Sequence, residues 1–321
     1  MTNIAIIGAG QAGVSFLDAM KERSADFSLT LIDRAARYWD KHEFLTNFSL
    51  KEWRDLSDMC KDAGVNFVCD TVERINLSRK KIYFKEAQAL DYDMLVVASG
   101  LQSKSITAKG EHREGVVYLS KIEPFKLRDL LKISNEAIVY VTTLLGIRLA
   151  LALQAAGKEV RVLSNSLDFL DTYKERFLKY LGEKNVPVHE GVGIEELIGE
   201  GQVRATKITP LKVFSSQLVF IDSGFTRAID FFEEPFTLNN VIETSQEGLF
   251  VIGDANRLDI QDELFFLTGH RDASLQAQAL AKALREGTKP VVERLCASNE
   301  EKQRILEELI VPKEYSKIVL P

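Results

Sequence analysis

Gly8-Ala9-Gly10-Gln11-Ala12-Gly13 falls between an apolar run, Ile4 to Ile7, and a stretch carrying Phe16, Leu17 and Met20 at helical spacing. Asp33, with Arg34 beside it, ends the next apolar run about twenty positions after Gly13. Each glycine has a physical task in a turn that binds phosphate: Gly8 permits the tight turn, Gly10 lets a pyrophosphate approach the backbone, and Gly13 allows the helix to pack closely on the strand. The amides of Gln11, Ala12 and Gly13 and the positive end of the helix dipole face the phosphates, while Asp33 is placed to hold a ribose hydroxyl. The chemistry these residues predict is the binding of an adenine dinucleotide.

The elements that must position them form a strand, turn, helix and strand unit over Ile4 to Asp33, with its second strand at Ser28 to Ile32. A second such unit runs from Ala137 to Ser164: strand Ala137–Val141, helix Gly146–Ala156 stopped by Gly157, and strand Glu159–Leu163. A right-handed crossover between parallel strands implies a parallel sheet for each. The expected fold is α/β with two Rossmann-like domains, the second inserted in the first. The predicted boundaries are 1–112 and 247–298 for a discontinuous first dinucleotide-binding domain, 113–246 for the insertion, and 299–321 for a C-terminal helical tail. The pattern further predicts a helix over Leu50–Ala63, strands near Val65–Val68, Thr71–Ile75, Lys81–Phe84, Met94–Ala98 and Leu249–Ile252, and short β runs within 186–221. A long helix is expected over Asp272–Arg285, then two shorter ones near 290–297 and 299–310.

Two further stretches identify the dinucleotide. Residues 244–254 read Thr-Ser-Gln-Glu-Gly-Leu-Phe-Val-Ile-Gly-Asp, and residues 91–100 read Asp-Tyr-Asp-Met-Leu-Val-Val-Ala-Ser-Gly. Both resemble signatures of the pyridine nucleotide–disulfide oxidoreductase superfamily, which includes rubredoxin reductases and type II NADH dehydrogenases. The resemblance implies noncovalent FAD, with Gly253-Asp254 at the flavin ribitol and Ser99-Gly100 where the chain crosses toward the other domain. It also implies that the helix element Ala273-Ser-Leu-Gln276-Ala277 brings amides near Ala273 to the flavin pyrimidine edge. The activity implied is that of an FAD-dependent oxidoreductase with NAD(P)H as donor.

The second unit departs from this pattern. Val141 and Thr143 stand where its first two glycines belong and only Gly146 remains; β-branched residues there fill the phosphate space and disfavour a positive φ. Ser164-Asn165-Ser166 offers no acid for a ribose, and Arg148 occupies the position where relatives place a glutamate near the nicotinamide. Direct reduction by NADH or NADPH is therefore expected to be slow or absent. The alternative is a flavin-binding electron-transfer, assembly or sensor protein reduced by a ferredoxin- or rubredoxin-like carrier.

Other residues allow two readings each. Tyr38, Trp39, Lys41 and His42 follow the Asp33 strand; Lys41 or His42 could hydrogen-bond near flavin N5, or the stretch is a solvated loop with partly buried aromatics. Phe231, Phe232, Phe236, Phe265 and Phe266 line an apolar access route or pack in the core. Lys80, Lys81 and Lys85, or Lys121, Lys126 and Arg128, form a basic docking face or a solvated one. The tail apolar residues Ile305, Leu306, Leu309 and Ile310 dock a partner or a second copy, giving a homodimer, or cover the protein's own core.

Composition closes off other classes. The 321 residues are 45% hydrophobic and 27% charged, which suits a globular chain with a large core. A net charge of −6, with no basic tract longer than Arg79-Lys80-Lys81, argues against a nucleic-acid partner. The partner expected is a small-molecule or protein electron donor or acceptor. Cys60, Cys69 and Cys296 form no C-x-x-C, so neither a disulfide framework nor dithiol chemistry is encoded, and His112, His189 and His270 lack metal-ligand spacing. With the first strand starting almost at Met1 and Leu144–Ala156 too short to span a bilayer, no leader and no membrane span are expected, and the location read from these features is cytoplasmic.

Overall fold

The computed structural model describes residues 1–21, 26–49, 53–238, 242–256 and 265–290, with the side chains of 42, 46–47 and 265–271 left aside. The expected helices near 290–297 and 299–310 and the tail from 299 lie outside the described residues, as does Cys296.

Along Thr2–Ile7 (β1) the last four residues, Ile4 to Ile7, are all buried, the signature of a strand covered on both faces. It pairs in parallel with Phe27–Asp33 (β2) on one side and Met94–Val97 on the other, Ile7 lying opposite both Ile32 and Val97. Asn66–Cys69 joins β2 and Leu249–Val251 joins Met94–Val97, completing a five-stranded parallel sheet in which the two ends of the described chain meet. Helices Gln11–Met20 (α1) and Phe265–Glu286 (α7) pack together over one face, burying Phe16, Leu17, Met20, Ala277 and Leu280. The other face is covered by the antiparallel strands Val72–Asn76, Lys81–Phe84 and Leu90–Asp91.

A second parallel sheet has the order Val116–Tyr118, Leu218–Ile221, Glu136–Tyr140, Glu159–Ser164 and Val188–Glu190. Helix Leu144–Ala155 (α5) crosses it, with Pro124–Ile133 (α4) and Lys174–Glu183 (α6) alongside. The chain runs out to this unit through Leu101–Ser103 and returns through Phe225–Arg227, and these two segments pair antiparallel.

Three helix boundaries differ from expectation for local reasons. Of the expected 50–63 helix, residues 50–52 lie outside the described residues and the helix runs over Leu56–Ala63 (α3), because Arg54–Asp55 pairs with Arg37–Tyr38 and the Asp55 carboxylate caps the helix, accepting from the amides of Ser57 (2.9 Å) and Asp58 (3.3 Å). Helix α5 starts two residues early because Thr143 Oγ accepts from the Leu145 amide. Helix α7 starts at Phe265 rather than Asp272.

A short helix, Lys41–Asn47 (α2), is capped by Asp40, which accepts from the Glu43 amide, and sends Phe44, Leu45 and the following Phe48 into the core built around α5. Covered in this way, α5 has every residue from Leu149 to Leu153 buried, with Arg148 and Gln154 part-buried. Phe44 makes edge contacts with Trp39 (5.3 Å between centroids) and Phe48 (5.8 Å). Phe44→Ala is expected to destabilise the protein by about 3–5 kcal/mol and to lower Tm by roughly 5–10 °C in a thermal melt. An unchanged Tm would show that this contact does not hold the two units together.

Candidate functional site

The glycine turn closes on itself through its own acid. Gly8 (φ +102°) donates its amide to the Ile32 carbonyl at 2.8 Å, and a Cβ there would overlap the Ala98 carbonyl. Gly13 lies so close to the Gly8 carbonyl that a side chain has no room. Gly10, by contrast, has no atom within 4 Å of where its Cβ would stand, and no side chain caps α1. Asp33 accepts from the amides of Ala9 (2.6 Å) and Ala35 (2.8 Å), which places its carboxylate at the mouth of the turn beside Arg34.

The distant segments converge here. Gly253 (φ +66°) approaches Ala12 so closely that a Cβ would lie 2.8 Å from the Ala12 methyl, and its amide donates to Gln276 Oε1 at 2.8 Å. Asp254 follows in a short helical turn, Gly253–Asn256. Thr244, the first residue of the 244–254 signature, donates to the Leu249 carbonyl (3.1 Å) and accepts from the Gln246 amide (3.0 Å), so it fastens the strand that leads to Asp254. Ser99 Oγ donates to the Ala228 carbonyl at 2.6 Å and the Ala228 amide donates to Gly100 at 3.0 Å, tying the crossing point to the returning chain.

Lys41 reaches into this cleft. The residue is exposed, and desolvation is the largest influence on its amine, lowering its pKa. Asp33 and Asp254 pull the other way, while Arg34 adds to the lowering. One amine therefore feels both of the acids the sequence singles out. Tyr38 donates to Gln11 Oε1 (2.7 Å), and Gln11 Nε2 donates to Ser274 Oγ (2.9 Å), a part-buried chain linking the strand after Asp33, α1 and α7. The His42 side chain lies outside the described residues.

Ala273 lies inside α7, eight residues past Phe265, so its amide is not among the unpaired amides of that helix's first turn. What the 273–277 element contributes is Gln276, whose side chain holds Gly253.

The second unit is built differently. Val141 is fully buried in the core and does not fill a phosphate space, contrary to expectation. Ser164 is also buried, donating to the carbonyls of Val141 and Ser166, both at 2.6 Å. The group at the N-terminus of α5 is Asp222, just past the strand Leu218–Ile221. Its Oδ2 accepts from the amides of Thr142 (3.3 Å) and Thr143 (2.8 Å) and from Thr143 Oγ (2.8 Å), and the Gly146 amide bonds the same carboxylate. Asp222 is wholly buried, its Oδ1 has no hydrogen-bond partner, and desolvation pushes its pKa up to about 6 against those hydrogen bonds. Sequence reasoning passed over it; the signal was an acid directly after the apolar run Leu-Val-Phe-Ile, where a parallel strand delivers its C-terminal end to the site.

The remaining candidates settle simply. Phe231, Phe232 and Phe236 stack with centroids 5.1 and 4.7 Å apart against the Ile75–Ile82 core, the packing alternative; the side chains of Phe265 and Phe266 lie outside the described residues. Lys80 donates to the Asp93 carbonyl, Lys81 pairs with Asp91 at 3.3 Å and Lys126 with Glu114 at 3.4 Å, so both basic clusters are partly compensated. Burial pushes the Cys60 thiol up to about 11, far from the thiolate that dithiol chemistry needs. Among the described residues no three His, Cys, Asp or Glu side chains converge as a metal site, and no helix is long and apolar enough to cross a membrane.

Two parallel sheets, each entered through a strand, a turn and a helix, with a glycine cradle open at the first, define a protein of the two-unit dinucleotide-binding class. The chain belongs to the pyridine nucleotide-disulphide oxidoreductase family, whose model matches residues 2–283. It is 24% identical over 282 residues to Apoptosis-inducing factor 3 of Mus musculus, covering 79% of this chain and 45% of that protein, so it spans less than half of that relative. It is 22% identical over 303 residues to the benzene 1,2-dioxygenase system ferredoxin–NAD(+) reductase subunit of Pseudomonas putida, covering 88% and 74%. The structure of the ferredoxin reductase for the CYP199A2 system from Rhodopseudomonas palustris shares the fold, with a TM-score of 0.73, 18% identity and coverage of 90% and 78%. The cofactor of this family, and of this chain, is FAD, and the residues present fit it: no atom lies within 4 Å of where a Gly10 Cβ would stand, and the Asp33 and Asp254 carboxylates both act on Lys41.

Proposed function

We propose that this protein is an FAD-dependent oxidoreductase whose flavin exchanges electrons with a small carrier protein of the ferredoxin or rubredoxin kind, and not with NAD(P)H bound in its second unit. Residues 1–112 and 247–298 form the FAD domain, with 113–246 inserted. Gly10, Gln11, Ala12 and Gly13 cradle the pyrophosphate, Asp33 holds the adenine ribose with Arg34 beside it, and Asp254 holds the ribitol, placed by Gly253. FAD, once bound, supplies a centre that takes two electrons and releases them singly. Lys41, its pKa lowered by desolvation while Asp33 and Asp254 raise it, is a cation placed to stabilise negative charge in the cleft. Ser99 and Gly100 fix the crossing that brings the second unit over it. Free thiols such as Cys60 suit a reducing, cytoplasmic setting.

The observation that carries this reading is the contrast between an open cradle at α1 and a filled one at α5, in a chain related to reductases that serve ferredoxins. An absorption spectrum followed by anaerobic titration tests it. We expect a flavin spectrum that dithionite and a reduced ferredoxin bleach within seconds and that millimolar NADH or NADPH leaves oxidised. Rapid bleaching by NADH would reassign the donor, and a chain that takes up no FAD would end the reading altogether.

A further inference from the structure

We propose that Asp222 is a resident anion that takes the place of a nucleotide phosphate in the second unit, so that this unit keeps the architecture of a dinucleotide-binding domain while excluding the dinucleotide. This deepens the reading above and rests on it. The first turn of a helix presents unpaired amides and a positive dipole end, which is what makes it an anion site. At α5 those donors are already directed at one carboxylate: the amides of Thr142, Thr143 and Gly146 and the Thr143 hydroxyl all meet Asp222. Thr142 Oγ also donates to the Asp222 carbonyl at 2.9 Å, so the acid is fastened at both its backbone and its side chain.

The approach is as close as a phosphate's would be. A Cβ on Gly146 would stand 2.5 Å from Asp222 Oδ2, so the glycine that survives from the turn now makes room for the protein's own carboxylate. The contrast with the first unit is specific to this position. There the strand in the same place, Met94–Val97, is followed by Ala98, which brings no carboxylate, and Asp33, at the end of the neighbouring strand, bonds the amides of Ala9 and Ala35 beside the turn and leaves the α1 terminus clear. Nothing about helix α5 itself prevents anion binding; the occupant does.

The test uses the full-length, FAD-loaded chain, with inorganic pyrophosphate and NADH as probes in isothermal titration. Wild type should show no saturable uptake of either probe below about 10 mM. Asp222→Ala, with flavin absorbance and circular dichroism unchanged, should gain one pyrophosphate site, at least tenfold tighter than any wild-type binding. An Asp222→Ala protein that keeps its FAD yet binds pyrophosphate no better than wild type overturns the proposal, as does saturable NADH binding to wild type. Should Asp222→Ala not fold, Asp222→Asn, which keeps the shape and removes the charge, is read instead: a fivefold or greater gain supports the proposal and no gain overturns it. A chain without flavin would sink the oxidoreductase reading but leave the pyrophosphate comparison intact, so the two failures are distinguishable.

Discussion

Gly10→Leu yields a folded protein without flavin. The backbone at Gly10 (φ −76°, ψ −170°) is one that any residue adopts, and its Cβ direction meets no protein atom, so the apoprotein tolerates the side chain. Losing glycine at this helix-capping position costs no more than about 1 kcal/mol. The leucine nevertheless projects from the turn onto the path of the pyrophosphate, where steric exclusion removes several kcal/mol of binding and leaves less than about a tenth of the wild-type flavin content. Gly8 provides the control: a side chain there overlaps the Ala98 carbonyl, so Gly8→Leu is expected to fail in folding itself. The ratio of flavin to protein absorbance, read with circular dichroism, separates these outcomes. A Gly10→Leu protein that purifies with a full complement of FAD would mean that the cofactor lies elsewhere.

Acidification toward pH 5 stabilises this protein through Asp222. The buried carboxyl titrates at about 6 in the folded state and near 3.9 when unfolded, so between those values the native state binds the extra proton. The stabilisation is fully developed below the unfolded pKa and is lost as pH rises through about 6, a change on the order of 2–3 kcal/mol. Tyr140, whose own pKa burial and Asp222 raise, is the titratable neighbour. It stays neutral throughout this range. His189, with a pKa lowered by burial and by Arg161, opposes the trend as pH falls through 6.5. The measurement is therefore a difference: denaturant unfolding of wild type and Asp222→Asn from pH 8 to pH 5. The variant's advantage is largest at pH 8 and falls to about half of that by pH 5. Parallel curves for the two proteins would show that Asp222 is not the group responsible.

The first unit was legible because each of its features is local. A glycine turn, a strand before it and an acid after the next strand are all visible within Ile4 to Asp33, and the structure shows the same elements within a residue or two. The 244–254 stretch was legible by its pattern alone, and its physical content emerged only in three dimensions, where Thr244 fastens the strand and Gln276 holds Gly253. What could not be read were pairings across long sequence separations. Asp222 lies about eighty residues from the turn it fills, so the loss of two glycines at 141 and 143 pointed to obstruction by the wrong side chains. Asp55 capping α3 is a short-range signal of the usual kind, but Trp53 and Arg54 beside it do not interrupt helical periodicity and the boundary was missed.

The pairing of Leu101–Ser103 with Phe225–Arg227 has a mechanical consequence. Two separate linkers would let one unit swivel and translate against the other; a hydrogen-bonded ribbon couples outgoing and returning strands and resists twisting while it still bends. With Phe44 and Phe48 wedged beside it, even that bend is opposed by the need to expose apolar surface. The second unit then behaves as a fixed wall of the flavin cleft. A spectroscopic ruler spanning the two units should read a single distance whether the flavin is oxidised or reduced.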